Sequence, residues 1–450
     1  ATAFAIAEIL SKNGLPRDVL QFVPTRDDEV GKHLVTHSGI ATVILTGAFD
    51  TAMLFKSWKP ELNLLAETSG KNSILITASA DIDTAVKDLV NSAFGHAGQK
   101  CSAASLAVVD ASIYDSEVFR SQLLDAAQSL NFGPSTKIGA TNGPLIRPPG
   151  GALLRAIAQL EPGEEWLLKP KRLDEAGYLW SAGIKLGVRP GSWSHQNEWF
   201  GPVLGLMRAD NFDQAIEWQN STDYGLTAGI ASLDDEECSK WVAQVQAGNL
   251  YVNRGITGAI VRRQPFGGWK RSSVGPSAKA GGPHYLEQLR NWPAVSVSDE
   301  FITSAKTWLD AELNQPKATS ALRAELNYGR LRPYLHGVLV RVGANISESE
   351  LAVLEWLATN PELGIHLIQS LSVAEMVSKF KSGELNASKV RWLSNEAAPE
   401  IELLELGISV DNRRISKEVS VEMPRWVIEQ SISITNHRYG NVGAGPEVTF

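Results

Sequence analysis

Leu65-Ala66-Glu67-Thr68-Ser69-Gly70-Lys71-Asn72 and, one strand and one helix later, Gly95-His96-Ala97-Gly98-Gln99-Lys100-Cys101-Ser102 form the stretch around which the chain is organised. A carboxylate stands on a Gly-bounded turn and a cysteine on a Gly-flanked loop, the layout of a general base facing a thiol nucleophile. Three local features favour a reactive Cys101. Gly95 and Gly98 let the backbone approach a substrate, Lys100 favours the thiolate, and the small Ser102 and Ala103 leave room beside the sulfur. The bland alternatives are a buried structural cysteine and, for Glu67 alone, an ordinary solvated turn residue.

Between the two halves the pattern predicts a strand over 73–77 and a helix over 81–94, with Ile82, Ala85, Val86, Leu89, Val90, Ala93 and Phe94 on its apolar face. Upstream, an apolar strand over 41–45 runs into Thr46-Gly47-Ala48 and a helix over 52–58. A strand, a Gly turn and a helix N-terminus make an anion site suited to a dinucleotide pyrophosphate. Without Gly-x-Gly-x-x-Gly, the bare motif favours an ordinary strand-helix turn. Earlier still, a short buried strand is expected over 19–23 and a helix over 27–36. The opening amphipathic helix (Phe4, Ile6, Ile9, Leu10) stops at Asn13-Gly14-Leu15-Pro16. Strands alternating with helices imply an α/β fold with a parallel, doubly wound sheet. The chain opens on Ala1 inside an uncapped helix, so it is expected to belong to a longer parent polypeptide.

Downstream, a strand at 106–109 begins the sheet of the domain that carries Cys101, extending to about residue 255. Cys238 falls in a helical segment over 235–246 with Trp241, Val242 and Val245 and reads as structural. A strand follows over 248–253. Arg262-Arg263 could form an anion patch or simply be solvated. The loop from Gly275 through Ser277, Lys279, Ala280, Gly281 and Gly282 to Tyr285 offers consecutive N–H donors that suit a carboxylate, or is a flexible surface turn. Past Trp292 a polar link, residues 296–300, leads into a helix over 301–313. Strands over 337–342, 365–368 and 389–393 then alternate with helices over 347–359 and 372–381, and this part holds no catalytic constellation.

With 450 residues, 43% hydrophobic and 20% charged, the chain can build two or three domains. A formal charge of -8 argues against nucleic-acid binding as its main business. No apolar run is long enough to cross a bilayer and no signal peptide opens the chain, so no integral membrane segment is expected, and the cytoplasm is the expected compartment. Two cysteines far apart in sequence point to a reducing compartment without a disulfide framework, and no metal site is expected.

The Glu67 and Cys101 segments together resemble the aldehyde dehydrogenase superfamily, in which Glu-x-x-Gly-(Lys/Gln)-(Asn/Ser) precedes Gly-Gln-x-Cys by this interval. Glu198-Trp199-Phe200-Gly201-Pro202 matches the family's Glu-x-Phe-Gly-Pro, and Pro265-Phe266-Gly267-Gly268-Trp269-Lys270 its Pro-Phe-Gly-Gly-x-Lys. The resemblance runs from about Ala1 to Trp292. It implies a partial Rossmann-type NAD domain (1–66), an α/β catalytic domain (67–255), a return and oligomerisation segment (256–300) and a C-terminal α/β extension (301–450).

By that resemblance Cys101 is the nucleophile and Glu67 the base. Thr46, Gly47, Ala48, Glu198 and Phe200 would bind NAD. The family's oxyanion asparagine, and the acidic residue that contacts the adenosine ribose, would lie upstream of Ala1. Cys101-Ser102 with Lys-Ala-Gly-Gly-Pro narrows the resemblance to the L-glutamate γ-semialdehyde dehydrogenase branch. There Ser102, Gly281 and Gly282 match the positions that hold the α-carboxylate of glutamate semialdehyde. The stretch from about Leu322 resembles the C-terminal extension of proline utilization A proteins, which implies a proline dehydrogenase domain on the same parent and a homo-oligomer. Three readings stay open beside this: a dehydrogenase for another semialdehyde such as succinate semialdehyde, a non-catalytic scaffold of the same fold, and a cysteine hydrolase activated by His96.

Overall fold

Asn72–Ile76, the strand that leaves the Glu67 turn, is buried on both faces and lies inside the main sheet. In the computed structural model, which describes residues 2–26, 28–276, 278–290, 292 and 299–450, that sheet has a definite strand order. It runs Lys317–Ala318, Glu325–Pro333, Val427–Thr435, Asn249–Val252, Thr227–Ala231, Asn72–Ile76, Ala104–Asp110, Val203–Ala209, Gly183–Leu186, Glu165–Leu168. Every pairing from Val427–Thr435 to Gly183–Leu186 is parallel and the pairings beyond are antiparallel. Parallel strands covered on both faces must be apolar throughout, which is why the sequence signal here is a run and not an alternation. The helix Ile82–Phe94 packs Leu89 and Phe94 onto one face. Helices Phe212–Asn220 and Asp235–Gln244 cover the other with Ile216, Cys238 and Trp241. Cys238 is fully buried, as its helical setting predicts.

A second, smaller sheet pairs Val43–Thr46 in parallel with Leu64–Glu67, and Ser273–Val274 returns antiparallel to the latter. The register sets Thr46 opposite Glu67, so the Gly turn and the carboxylate leave the same, carboxyl end of the sheet. The strand expected over 19–23 does not form. Val19, Phe22 and Val23 are exposed, and no described strand lies beside them to supply a hydrogen-bonding ladder. The helix expected over 27–36 is Glu29–Thr36, capped by the Asp28 carboxylate on Val30 and Gly31 N–H. Asp27, Ser277 of the glycine loop, and residues 296–298 of the expected polar link lie outside the described residues.

The extension holds a separate parallel sheet in the order Ile365–Ile368, Val338–Val342, Lys389–Leu393, Ser409–Asp411. Its helices Glu348–Ala358 and Val373–Ser382 both start with a capping box, Ser347 with Glu350 and Ser372 with Glu375. Glu325–Pro333 and Val427–Thr435 leave this module as an antiparallel pair, and the second of them pairs Asn249–Val252 of the main sheet. An edge strand of unpaired N–H and C=O groups is thereby closed. A buried ion pair between Lys56 and Glu400 ties the extension to the helix after the Gly turn.

Candidate active site

Glu67 ends its strand and the chain turns through Gly70, where an added Cβ would stand 2.7 Å from the Cys101 carbonyl oxygen. Turn and loop are therefore pressed together backbone to backbone. Asn72 fixes this contact: its Nδ2 donates to Cys101 O at 2.7 Å and to Ala103 O at 3.0 Å, while its Oδ1 accepts from Thr227 N at 3.0 Å. Thr227 Oγ1 donates to Ser102 O at 3.3 Å. The cysteine loop thus hangs from the ends of two central strands.

His96 and Ala97 both take φ 55 and Gly98 takes φ +67, so the helix Ile82–Phe94 ends in a left-handed turn. A Cβ on Gly98 would lie 2.2 Å from Gly201 O. The glycine serves packing against the segment that carries Phe200, and at Gly95 nothing lies within 4 Å. Packing, and not the approach of a substrate, therefore requires the glycine at 98, which corrects that part of the expectation. Gln99 bridges the loop outward, donating to Phe200 O at 3.2 Å and accepting from Ile146 N at 2.9 Å.

One cleft of about 810 Å³ gathers Thr46, Gly47 and Ala48, Glu67, Cys101 and Ser102, and Glu198 and Phe200, walled by Ser69, Gln99, Lys100, Gly258, Ala259 and Phe266. Gly281 and Gly282 are not among its lining residues. They sit one step behind: Ala280 and Phe266 exchange backbone hydrogen bonds at 2.8 and 2.9 Å, and Gly281, at φ +73, faces Val261. Arg262 is exposed.

Desolvation at the floor of the cleft pushes Glu67 up to about 8, against the Lys279 ammonium and the Gly268 N–H, which donates to its Oε2 at 3.3 Å. Cys101 is also pushed up, by burial first and then by the Glu198 carboxylate, against the N–H groups of Ser102 and Cys101. Lys100 does not offset these effects, contrary to the expectation that it favours the thiolate. Glu198 is raised by burial, while Gly70 N, donating to its Oε1 at 3.0 Å, pulls the other way. Beside it the buried Lys71 ammonium lies 3.5 Å from the Trp199 ring centre. A neutral Cys101 thiol in the same cleft as the Glu67 carboxyl, raised to about 8, is suited to proton transfer.

His96 is exposed and off the cleft wall, so the thiol has no imidazole partner there, which removes the hydrolase reading's activating group. His195 is buried, with Nδ1 accepting from Gly191 N at 2.9 Å and Nε2 donating to Trp218 O at 3.1 Å, and serves the fold. Asn72, Thr227, Gly268 and Lys279 escaped sequence reasoning as site residues. Asn72, Gly268 and Lys279 stood inside motifs already singled out, but their burial and hydrogen bonding are tertiary facts.

The helix Phe49–Trp58 starts without a side-chain cap from Ala48, its Phe49 N–H donates to Ser69 Oγ at 3.3 Å, and Thr46, Gly47 and Ala48 line the same cleft as the Glu198 carboxylate and the Phe200 ring. These groups fit a nicotinamide dinucleotide: an anion site, an acceptor for ribose hydroxyls and an aromatic wall.

The comparisons agree with this geometry. Residues 1–295 match the family model "Aldehyde dehydrogenase family". The 1-pyrroline-5-carboxylate dehydrogenase of Oceanobacillus iheyensis is 34% identical over 308 residues, 66% of this chain and 59% of the relative. That of Staphylococcus aureus is 36% identical over 303 residues, 65% of this chain and 58% of the relative. The chain therefore spans less than two thirds of the curated relatives it matches. The solved structure of proline utilization A from Corynebacterium freiburgense is 41% identical with a TM-score of 0.86, over 98% of this chain and 46% of that one. Thermus 1-pyrroline-5-carboxylate dehydrogenase with bound NAD is 33% identical with a TM-score of 0.57, over 62% of this chain and 55% of that one. A thiol and a carboxylate held on adjoining turns at the mouth of an α/β sheet, in a chain matched by the family model over most of its length, place this chain in the aldehyde dehydrogenase family.

Proposed function

We propose that the chain carries the nucleophile and base for NAD-dependent oxidation of L-glutamate 5-semialdehyde, the open form of 1-pyrroline-5-carboxylate, to L-glutamate in proline degradation. The observation that carries this is the meeting of Cys101, Glu67, Ser102, Glu198 and Phe200 in one cleft. The substrate is supported by the names of the relatives. The Cys101 thiol gives its proton to the Glu67 carboxylate, which passes it on to solvent, and Sγ adds to the aldehyde carbon, giving a thiohemiacetal whose oxyanion would lie near the Cys101 N–H. Bound nicotinamide supplies the hydride acceptor. Glu67 then takes a proton from water as its oxygen adds to the thioester carbonyl, and the Cys101 thiolate leaves with its electron pair. Gly47, Ala48 and the helix start after them would hold the pyrophosphate, Glu198 the nicotinamide ribose, and Phe200 the ring.

Ser102, in the wall of the cleft beside Cys101, would donate to the substrate α-carboxylate, while Gly281 and Gly282, which do not line the cleft, would reach it only through a shift of the Phe266 wall. The likeness to proline utilization A, which extends through the C-terminal extension, supports a proline dehydrogenase domain on the parent polypeptide, and a homo-oligomeric assembly is proposed with it. Profiling kcat/KM of the full-length parent over semialdehydes tests the reading. A clear preference for glutamate semialdehyde over succinate semialdehyde is expected, and the reverse order would replace the substrate while keeping Cys101 and Glu67.

A further inference from the structure

Behind Glu67, on the side away from the cleft, lies a buried ammonium that the mechanism above does not use. Lys279 is 2% exposed, and two of its three protons go to Asn249 Oδ1 at 2.7 Å and to Gly267 O at 2.6 Å. The space is made by a missing side chain: a Cβ on Gly248 would stand 1.9 Å from Gly267 O and 3.0 Å from Lys279 Nζ. Gly267 in turn abuts the base, since a Cβ there would lie 3.0 Å from Glu67 Oε1. The strand Val427–Thr435 grips the same loop from the far side. Its Glu429 accepts from Lys279 N through Oε2 at 3.3 Å and from Trp269 Nε1 through its carbonyl at 2.9 Å. Ser431 Oγ donates to Pro265 O at 2.7 Å.

We infer that Lys279 is a positioning residue for the base: its buried ammonium, hydrogen-bonded to the carbonyl of Gly267 that abuts Glu67 and gripped at its own N–H by Glu429 of the extension, sets the charge environment of the Glu67 carboxyl. The extension thus reaches the chemistry through charge without entering the cleft. This rests on the reading of Glu67 as the deacylating base.

The groups facing this cluster account for the sign. Glu67 is faced by the Lys279 ammonium, the Gly268 N–H, the Cys101 thiol, the Glu429 carboxylate and Tyr285. Burial drives Glu67 toward its neutral form, Lys279 is the strongest opposing influence, and Glu429 is the weakest contributor. Burial also disfavours the Lys279 cation, and Glu67 and Glu429 are what restore it. Glu429 is faced by His284, Lys279 and Glu287, and the small cavity behind it is lined by Lys389, Arg413 and Arg425. A buried ammonium whose hydrogen bonds go to an amide oxygen and a carbonyl is costly to keep, and the nearby Glu67 and Glu429 carboxylates are the charges that offset that cost.

The test needs no cofactor and uses the chain as it stands. p-Nitrophenyl acetate acylates Cys101 with release of p-nitrophenolate, so the burst reads acylation and the steady rate reads hydrolysis of the acetyl-thioester by water. The Lys279→Met chain is expected to keep its burst. The acidic limb of its steady rate should move to higher pH by about one unit or more, the range a neighbouring opposite charge produces. Near neutrality this is roughly a tenfold loss in turnover. Lys279→Arg should restore the profile. Glu429→Gln, which keeps an acceptor for the Lys279 N–H but removes a carboxylate that itself raises Glu67, should move the limb by less and toward lower pH. An unmoved limb in Lys279→Met with an intact burst would overturn the inference while leaving Cys101 and Glu67 in their roles. A burst surviving in Cys101→Ala, or a steady rate indifferent to Glu67→Gln, would instead overturn the reading beneath it. Circular dichroism at matched pH identifies a variant that has failed to fold, and Lys279→Arg then decides alone.

Discussion

The side-chain amide of Asn72 donates to the carbonyl of Cys101 at 2.7 Å, so the first residue of a central strand holds the nucleophile's own peptide. Three hydrogen bonds meet at that amide, and removing it leaves the Cys101 and Ala103 carbonyls and the Thr227 N–H without a partner. Asn72→Ala is expected to destabilise the chain by about 1–3 kcal/mol in urea unfolding. It should also change the rate at which iodoacetamide alkylates Cys101. Loss of stability without any change in alkylation would mean that the bond serves folding only.

The raised Glu67 carboxyl gives a pH signature. Its folded pKa of about 8 stands above the ordinary carboxylate value of 4.5, so its contribution favours folding below pH 4.5 and is lost as pH rises through about 8. Glu67→Gln, which stays neutral, should therefore be more stable than the parent sequence at pH 8 to 9 and nearly equal to it at pH 4. The difference at high pH is on the order of 1–3 kcal/mol, allowing for the solvent in the cleft and the Lys279 partner. Thermal unfolding at the two pH values measures it, and a difference independent of pH would contradict the raised value.

Much of this site was legible in the sequence because the chemistry is local. Glu67, Cys101, Ser102, Glu198 and Phe200 sit in short motifs whose glycines and small residues mark close approach, and all five reach one cleft. What stayed hidden depended on partners far along the chain. The apolar stretch at 19–23 reads as a strand, but a strand exists only with a ladder beside it. Lys100 next to Cys101 reads as an activating charge, yet burial and Glu198 outweigh it. Lys279 and Glu429 are 150 residues apart, and only the parallel pairing of Asn249–Val252 with Val427–Thr435 brings their elements together.

Substrate choice should turn on Ser102, whose side chain borders the cysteine in the cleft. In the full-length parent, Ser102→Ala is expected to raise KM for glutamate semialdehyde by the loss of about 1.5–3 kcal/mol, the value of a hydrogen bond to a charged group. A neutral aldehyde of similar length should be little affected. Equal losses for both would remove Ser102 from the carboxylate.

Removing residues 322–450 takes away both strands that close the main sheet, including the neighbour of Asn249–Val252. The truncated chain should aggregate or change mass in light scattering, because a long apolar strand edge becomes available for pairing. A truncated chain that remained monodisperse with its secondary structure intact would show that the extension is dispensable to the fold.

The central claim is that Cys101 forms a glutamyl thioester which Glu67 hydrolyses. The most direct measurement is mass spectrometry of the full-length parent bearing Glu67→Gln, quenched in acid after mixing with 1-pyrroline-5-carboxylate and NAD. The expected result is one turnover of NADH per site and a glutamyl adduct on the peptide that contains Cys101, absent from Cys101→Ala. Steady turnover at the parental rate with no adduct, or an adduct on another residue, would contradict the account.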